Sequence, residues 1–268
     1  MRICERLLTD ELREGPTAME HNHIESDAIA NAVGARLRSA FEALVLVRDR
    51  AERHLGSVTR DRPPQREDLS SVGDLLQSVL SDHVDVIDGM GIASVDGYLQ
   101  DSQFWIEWWR FKTRRELEFV AHSLNPSRDH FYDYADRDWF TRPLSSGGMS
   151  VAGPYVDFGG TNTSTVTLAL PIVVGGSNVA VAGADIHASH FEDYLLSSAA
   201  FADVGGTLSG SALLINSDNR VIASNSADHL PGDLVSTNEF VSWDSTAIDI
   251  GPGVDAGWHL LVRNTGTE

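Results

Sequence analysis

The chain has 268 residues, 42% hydrophobic and 22% charged, and a formal net charge of −19 from 39 acidic against 20 basic residues. This is globular composition, enough for one large domain or two small ones, and long enough to fold without disulfides. The acidic balance argues against non-specific nucleic-acid binding, which needs a basic face for the phosphates, and against docking on anionic membranes.

Residues 1–23 are polar and mixed, and read as loosely ordered. Over 24–57 the pattern predicts one long helix, with Ser26 or Asp27 as its cap. Ile29, Val33, Leu37, Phe41, Leu44 and Val47 recur at steps of three and four and form one apolar stripe. Pro63 and Pro64 break that helix. A second helix is expected over 67–82, with Leu69, Val72, Leu75, Leu76, Val79 and Leu80 on one face. Short apolar runs between turn residues then read as strands: Val84–Val95, Phe104–Phe111, Leu117–Leu124, Met149–Asp157, Thr165–Val174 and Val179–Ile186. Alternation within the second of these puts Phe104, Ile106 and Trp108 on one face and Trp105, Glu107 and Trp109 on the other, as in a central strand under a helix. His187–Ala199 reads as a helix. Ser211–Asn216 and Arg220–Ser224 read as a hairpin, followed by strands Phe240–Ile248 and Trp258–Val262. Helices first and antiparallel-looking strands after them indicate an α+β fold.

The richest stretch chemically is 131–157. It holds Tyr132, Tyr134, Arg137, Trp139, Phe140, Tyr155 and Asp157. An arginine fork and an indole N–H two residues apart suit a ligand carboxylate. Aromatic walls suit an ammonium group, which Asp157 or Asp185 can meet as a counter-charge. Together these describe an α-amino acid site. The competing reading makes Trp139 and Phe140 core and pairs Arg137 with Asp133 or Asp136.

The same residues resemble the double Cache, or PDC-like, sensor domains of bacterial chemoreceptors and sensor kinases. The resemblance spans roughly 24–262. It rests on the long first helix, on Tyr132 followed by Arg137-x-Trp139-Phe140, and on Pro154-Tyr155-x-Asp157. The strand Thr165–Pro171 and the apolar strand ending in Asp185 complete it. It implies a long N-terminal helix and two PAS-like antiparallel-sheet subdomains: 24–83 helical, 84–199 with the pocket, and 200–268 smaller. In the amino-acid-binding subset, Arg137 and Trp139 would hold the carboxylate. Tyr132, Tyr155, Asp157 and Asp185 would hold the amino group. Phe140 stands where that subset usually has tyrosine.

Other motifs rank below this one. Asp185-x-His187-x-x-His190 offers metal-ligand types, but Asp185 as a helix cap and two solvent-facing histidines is the simpler expectation, so no metal and no cofactor is expected. Trp109 is kept as a ligand-contact candidate. The single cysteine, Cys4, excludes an intrachain disulfide or a cysteine-based metal site. Met1–Gly15 is too charged for a signal peptide and no window holds 18 apolar residues. The expectation as written is a soluble, cytoplasmic module, or an extracytoplasmic one as a piece of a receptor. The function implied is non-catalytic binding of an amino acid or a related small carboxylate or amine, with a homodimer through the stripe of helix 24–57. Two alternatives stay open: a Cache fold with a decayed pocket that serves protein interaction, and a small-molecule hydrolase with Asp157 or Asp185 as base and Arg137 as anion clamp.

Overall fold

The computed structural model describes residues 18–156, 163–196, 210–236, 238, 241–251, 254 and 256–264. Helix α1 runs Ala18–Asp61, longer at both ends than the apolar stripe alone indicates. Ser26 and Asp27 therefore lie inside it, not at its cap, and Ser26 is buried. It stops just before Pro63-Pro64, because proline clashes with the preceding turn and its neighbour is pushed out of helical geometry. The expected helix 67–82 is two helices, α2 (Arg66–Ser70) and α3 (Gly73–Asp82), with the chain re-aimed at Ser71-Val72.

Two antiparallel sheets follow. The first has six strands in the order β3-β2-β1-β6-β5-β4. They are β1 Gly89–Ser94, β2 Ile106–Thr113, β3 Glu116–Phe119, β4 Ser150–Val156, β5 Ser164–Val174 and β6 Ser177–His187. The second has four, in the order β8-β7-β10-β9: β7 Gly210–Ile215, β8 Val221–Ser224, β9 Asp244–Ala247 and β10 His259–Asn264. The expected strands 84–95 and 117–124 are shorter than their apolar runs, since Val84–Ile87 sit in a turn and Val120–Leu124 in a loop. Helix α4 (Asp138–Ser146) was not expected. Its short length and internal Pro143 hide it from periodicity, but its end is marked by Gly147 at φ 70°, the left-handed C-terminal stop. Helix α5 (Ser189–Leu196) covers most of the expected 187–199, whose last residues lie outside the described ones. The hairpin β7–β8 forms as expected.

One face of the first sheet packs on α1, α2 and α3, and that core runs on into the second sheet. The stripe residues Ile29, Val33, Leu37, Phe41, Leu44 and Val47 are all buried in it. The chain's own sheets thus cover the six stripe residues that were expected to pair two copies. The other face of the first sheet carries a smaller aromatic cluster with α4: Trp108, Tyr134, Trp139 and Phe140. Alternation along β2 is as expected, with Ile106 and Trp108 on this aromatic face and Trp105 and Trp109 against the helices.

The turn between α1 and α2 rests on one carboxylate. Asp68 accepts the Gln65 backbone N–H at 2.7 Å and two Arg62 guanidinium N–H groups at 2.7 and 2.8 Å. The Arg62 hydrogen bond holds the Asp68 carboxyl below its usual value, against its partial burial. A depressed folded pKa means stability that is present above the unfolded value, near ~4, and lost as pH falls through the folded one. Asp68→Ala is expected to cost about 1–2 kcal/mol at pH 7, with the gap to wild type closing below pH ~4, as read by urea unfolding at several pH values.

Candidate functional site

The aromatic face of the first sheet encloses a cleft of about 420 Å³, counting the part open to solvent. Its floor is β1, β2 and β6. Gly89 and Gly91 of β1 and Gly183 of β6 leave the sheet surface bare there, and the Trp108 indole lies across it. A Cβ at Gly91 would sit 2.3 Å from the Glu107 carbonyl oxygen and 2.4 Å from the Trp108 ring, and one at Gly183 would sit 2.8 Å from that ring. Trp139 from the first turn of α4 meets Trp108 at 5.6 Å between ring centroids. Tyr132 stacks on His122 at 4.7 Å, and Ile106 and Val120 complete the apolar wall.

The polar groups lie at the β5–β6 side. Asp185 is 7% exposed and lines the cleft. Its Oδ1 accepts the Thr167 hydroxyl at 2.6 Å, and Tyr155 and Thr167 are joined by a further hydrogen bond. A threonine hydroxyl has one proton; since it points to Asp185, the Tyr155 phenol is the donor to Thr167. Tyr155 reaches this chain through a β-bulge. Between Ala152 and Tyr155 strand β4 advances three residues while β5 advances two, Thr167 to Thr165. The extra residue turns Tyr155 to the same face as Ala152. Gly153 in the bulge has φ 115°, and a Cβ there would lie 2.6 Å from the Thr165 carbonyl oxygen.

Opposite charges surround the cleft. Arg110 lines it, with its guanidinium 2.7 Å from Glu118. Arg137, the N-cap residue of α4, lies at the mouth, where a wider outer cleft of about 1200 Å³ opens past Trp139 and Tyr155 towards Asn216, Asp218 and Arg220. Its guanidinium stands 5.9 Å from the Tyr132 ring centroid and has no carboxylate partner among the described residues. Asn216 ties the second sheet to this rim by donating to the Gly153 carbonyl at 2.8 Å.

Of the sequence-derived candidates, Tyr132, Trp139, Tyr155 and Asp185 meet in the inner cleft and Arg137 guards its mouth. Phe140 lies elsewhere, edge-on to Tyr134 and Trp139 in the core, with 3% exposure. Trp109 is on the helix face of β2, donating its indole N–H to Glu107 at 2.9 Å. Asp157 lies outside the described residues. The sequence reading missed Trp108, Arg110 and His122. Arg110 and Trp108 are two apart on one strand face, a signal the alternation contained.

The second half of the metal-type motif also differs from expectation. Asp185 lies inside β6, faces the cleft and accepts from Thr167. His187 and His190 are half-buried and gather instead around Asp88, the residue before β1.

Residues 77–193 match the family described as methyl-accepting chemotaxis protein-like, first PDC sensor domain. The fold is the PDC, or Cache, sensor fold. About nine tenths of the chain shares its fold with solved structures of sensor proteins. A methyl-accepting chemotaxis protein X superposes with a TM-score of 0.63 at 17% identity, over 90% of this chain and 95% of that one. The ligand-binding domain of Pseudomonas aeruginosa PAO1 amino acid chemoreceptor PctB, in complex with L-Arg, gives 0.54 at 14%, over 90% and 92%. The ligand-binding domain of Pseudomonas fluorescens chemoreceptor CtaA, in complex with L-valine, gives 0.57 at 16%, over 92% and 98%. No curated protein matches the sequence. In the Cache fold seen here, no described helix is long and apolar enough to cross a membrane.

Proposed function

We propose that this chain is a non-catalytic sensor module that binds an α-amino acid, or a closely related small molecule carrying an amine and a carboxylate, in the cleft of its first sheet. The observation that carries this reading is the buried Asp185 carboxylate, held in the hydrogen-bonded chain with Thr167 and Tyr155 and facing aromatic walls. A buried anion in an apolar cleft suits a cationic ligand group. Arg137, exposed at the mouth and without an ion-pair partner among the described residues, supplies the counter-charge for the ligand's carboxylate, and the Trp139 indole beside it a further donor. Arg110 is the weaker candidate for that task, since Glu118 already takes two of its N–H groups. The solved relatives with L-Arg and L-valine support the ligand class. A hydrolase needs a nucleophile or a metal beside its base; the relay Tyr155–Thr167–Asp185 holds the carboxylate in place, which suits positioning of a bound cation.

The test is thermal unfolding against the proteinogenic amino acids, matched amines and matched carboxylates, on wild type and Arg137→Ala. A ligand at a hundred times its Kd stabilises the fold by about 2.7 kcal/mol, a rise of roughly 5–10 °C for a chain of this size. Arg137→Ala is expected to weaken that ligand roughly ten- to a hundredfold, the worth of a charge-assisted hydrogen bond. A flat response across the whole panel would leave only the decayed-pocket reading.

A further inference from the structure

Three side chains from three separate elements converge at the end of the first sheet that leads into α5. Asp88 precedes β1, His187 ends β6 and His190 lies in the first turn of α5. Asp88 Oδ1 is 3.0 Å from His190 Nε2 and 3.3 Å from His187 Nδ1, and the three donor atoms all lie within 4.8 Å of one another. The carboxylate is fixed in this orientation. Its other oxygen accepts the His187 backbone N–H at 2.7 Å. Its own backbone is pinned on both sides, with its N–H on the Asp185 carbonyl at 2.8 Å and its carbonyl accepting from Phe111 at 3.0 Å.

We propose that Asp88, His187 and His190 form a binding site for a first-row divalent cation of the zinc type. Two imidazole nitrogens and one carboxylate oxygen are a zinc ligand set, whereas calcium and magnesium take oxygen donors. Ligands at 2.0–2.1 Å around a tetrahedral ion stand roughly 3.3 Å apart, the spacing already present on both edges that Asp88 shares. The side chains are 19–31% exposed, so the ion has an entry route and the remaining coordination position is open to water or to a solute. The His187 N–H on the second Asp88 oxygen is the kind of outer contact that orients a ligating carboxylate. A bound ion would join α5 to the first sheet, one residue-pair away from the cleft, where α5 also reaches the second sheet through Phe191 and Trp258, 5.5 Å apart.

The experiment is titration of the chelator-stripped full chain with Zn²⁺ alone and with Co²⁺ alone. One saturable equivalent of Zn²⁺ is expected, with a Co²⁺ visible spectrum typical of low coordination number. His190→Ala is expected to weaken binding by about 100-fold or more, since loss of even an outer-shell partner costs 10–100-fold. The control His130→Ala, an exposed loop histidine, is expected to leave it unchanged. Asp88 is too well anchored to be a clean probe, so His187→Ala serves as the second variant, with the melting curve of each metal-free variant checking the fold. Asp185→Asn keeps all three ligands and is expected to bind Zn²⁺ as wild type does, so the metal site and the amino-acid cleft stand or fall separately. Binding that survives both histidine variants, or no saturable Zn²⁺ at micromolar concentration, overturns the proposal.

Discussion

Asp185→Asn is expected to weaken amine-bearing ligands by at least 100-fold while leaving the unfolding midpoint of the ligand-free chain nearly unchanged. Asparagine keeps the shape and one carbonyl oxygen, which can still accept the Thr167 hydroxyl, so the hydrogen-bonded chain to Tyr155 persists. What is lost is the buried negative charge that the proposed function sets against a ligand's ammonium. Removing one partner from a buried ion pair costs about 3–5 kcal/mol, which is hundreds- to thousands-fold in Kd. Asp185→Ala would mix two effects, because it strands the Thr167 hydroxyl and adds about 1–3 kcal/mol of lost stability. The measurement is calorimetric titration of whichever amino acid shifts wild type most, run beside its des-amino carboxylate. The amine ligand is expected to lose its affinity and the carboxylate to keep whatever it has. Equal losses for both would move the counter-charge role away from Asp185.

The fold class was legible because the two periods in the sequence do not overlap. The stripe from Ile29 to Val47 repeats at helical spacing, and the runs 165–174 and 179–186, on either side of Gly175-Gly176, are apolar except for Thr165, Thr167 and Asp185. Both strands are fully covered over most of their length, by α1 on one face and the aromatic cluster on the other. Helix α4 was not legible, since nine residues with Pro143 inside give too few turns for a period to show. The site was legible in part. Trp139 in the first turn of α4 and Asp185 in β6 sit in regular elements, whereas Tyr132 lies in the irregular segment between β3 and α4. Tyr155 reaches the cleft only through the bulge at Gly153-Pro154, which breaks the alternation that assigns faces. Phe140 and Trp109 mislead because each is next in sequence to a cleft residue: strand alternation puts Trp109 on the helix face, and Phe140 packs behind Trp139 against Tyr134. Asp88 joins His187 and His190 across about a hundred residues of chain, and no local spacing encodes that meeting.

The largest effect on the fold is expected from Gly91→Ala. Gly91 sits opposite Trp108 in the β1–β2 ladder, at the centre of the sheet. An added Cβ meets the Glu107 carbonyl oxygen at 2.3 Å and the Trp108 ring at 2.4 Å, so backbone and indole must both move. Neither is the free end of a flexible chain, and the indole has Trp139 on its other side. Overpacking of this kind costs about 3 kcal/mol, a fall of roughly 6–12 °C in Tm for a chain of this size. Gly183→Ala meets only the edge of the same ring, at 2.8 Å, and is expected to cost less. Gly148→Ala, with nothing within 4 Å of the new atom, is the control and is expected to stay within about 0.5 kcal/mol of wild type. The order Gly91, Gly183, Gly148 in thermal unfolding tests the close approach of β1 to β2 directly. Because the displaced indole has only the cleft to move into, the first two substitutions are also expected to weaken ligand binding, in the same order. A stable Gly91→Ala chain with unchanged affinity would mean that Trp108 does not lie on the glycine floor, and that the cleft is shaped by something else.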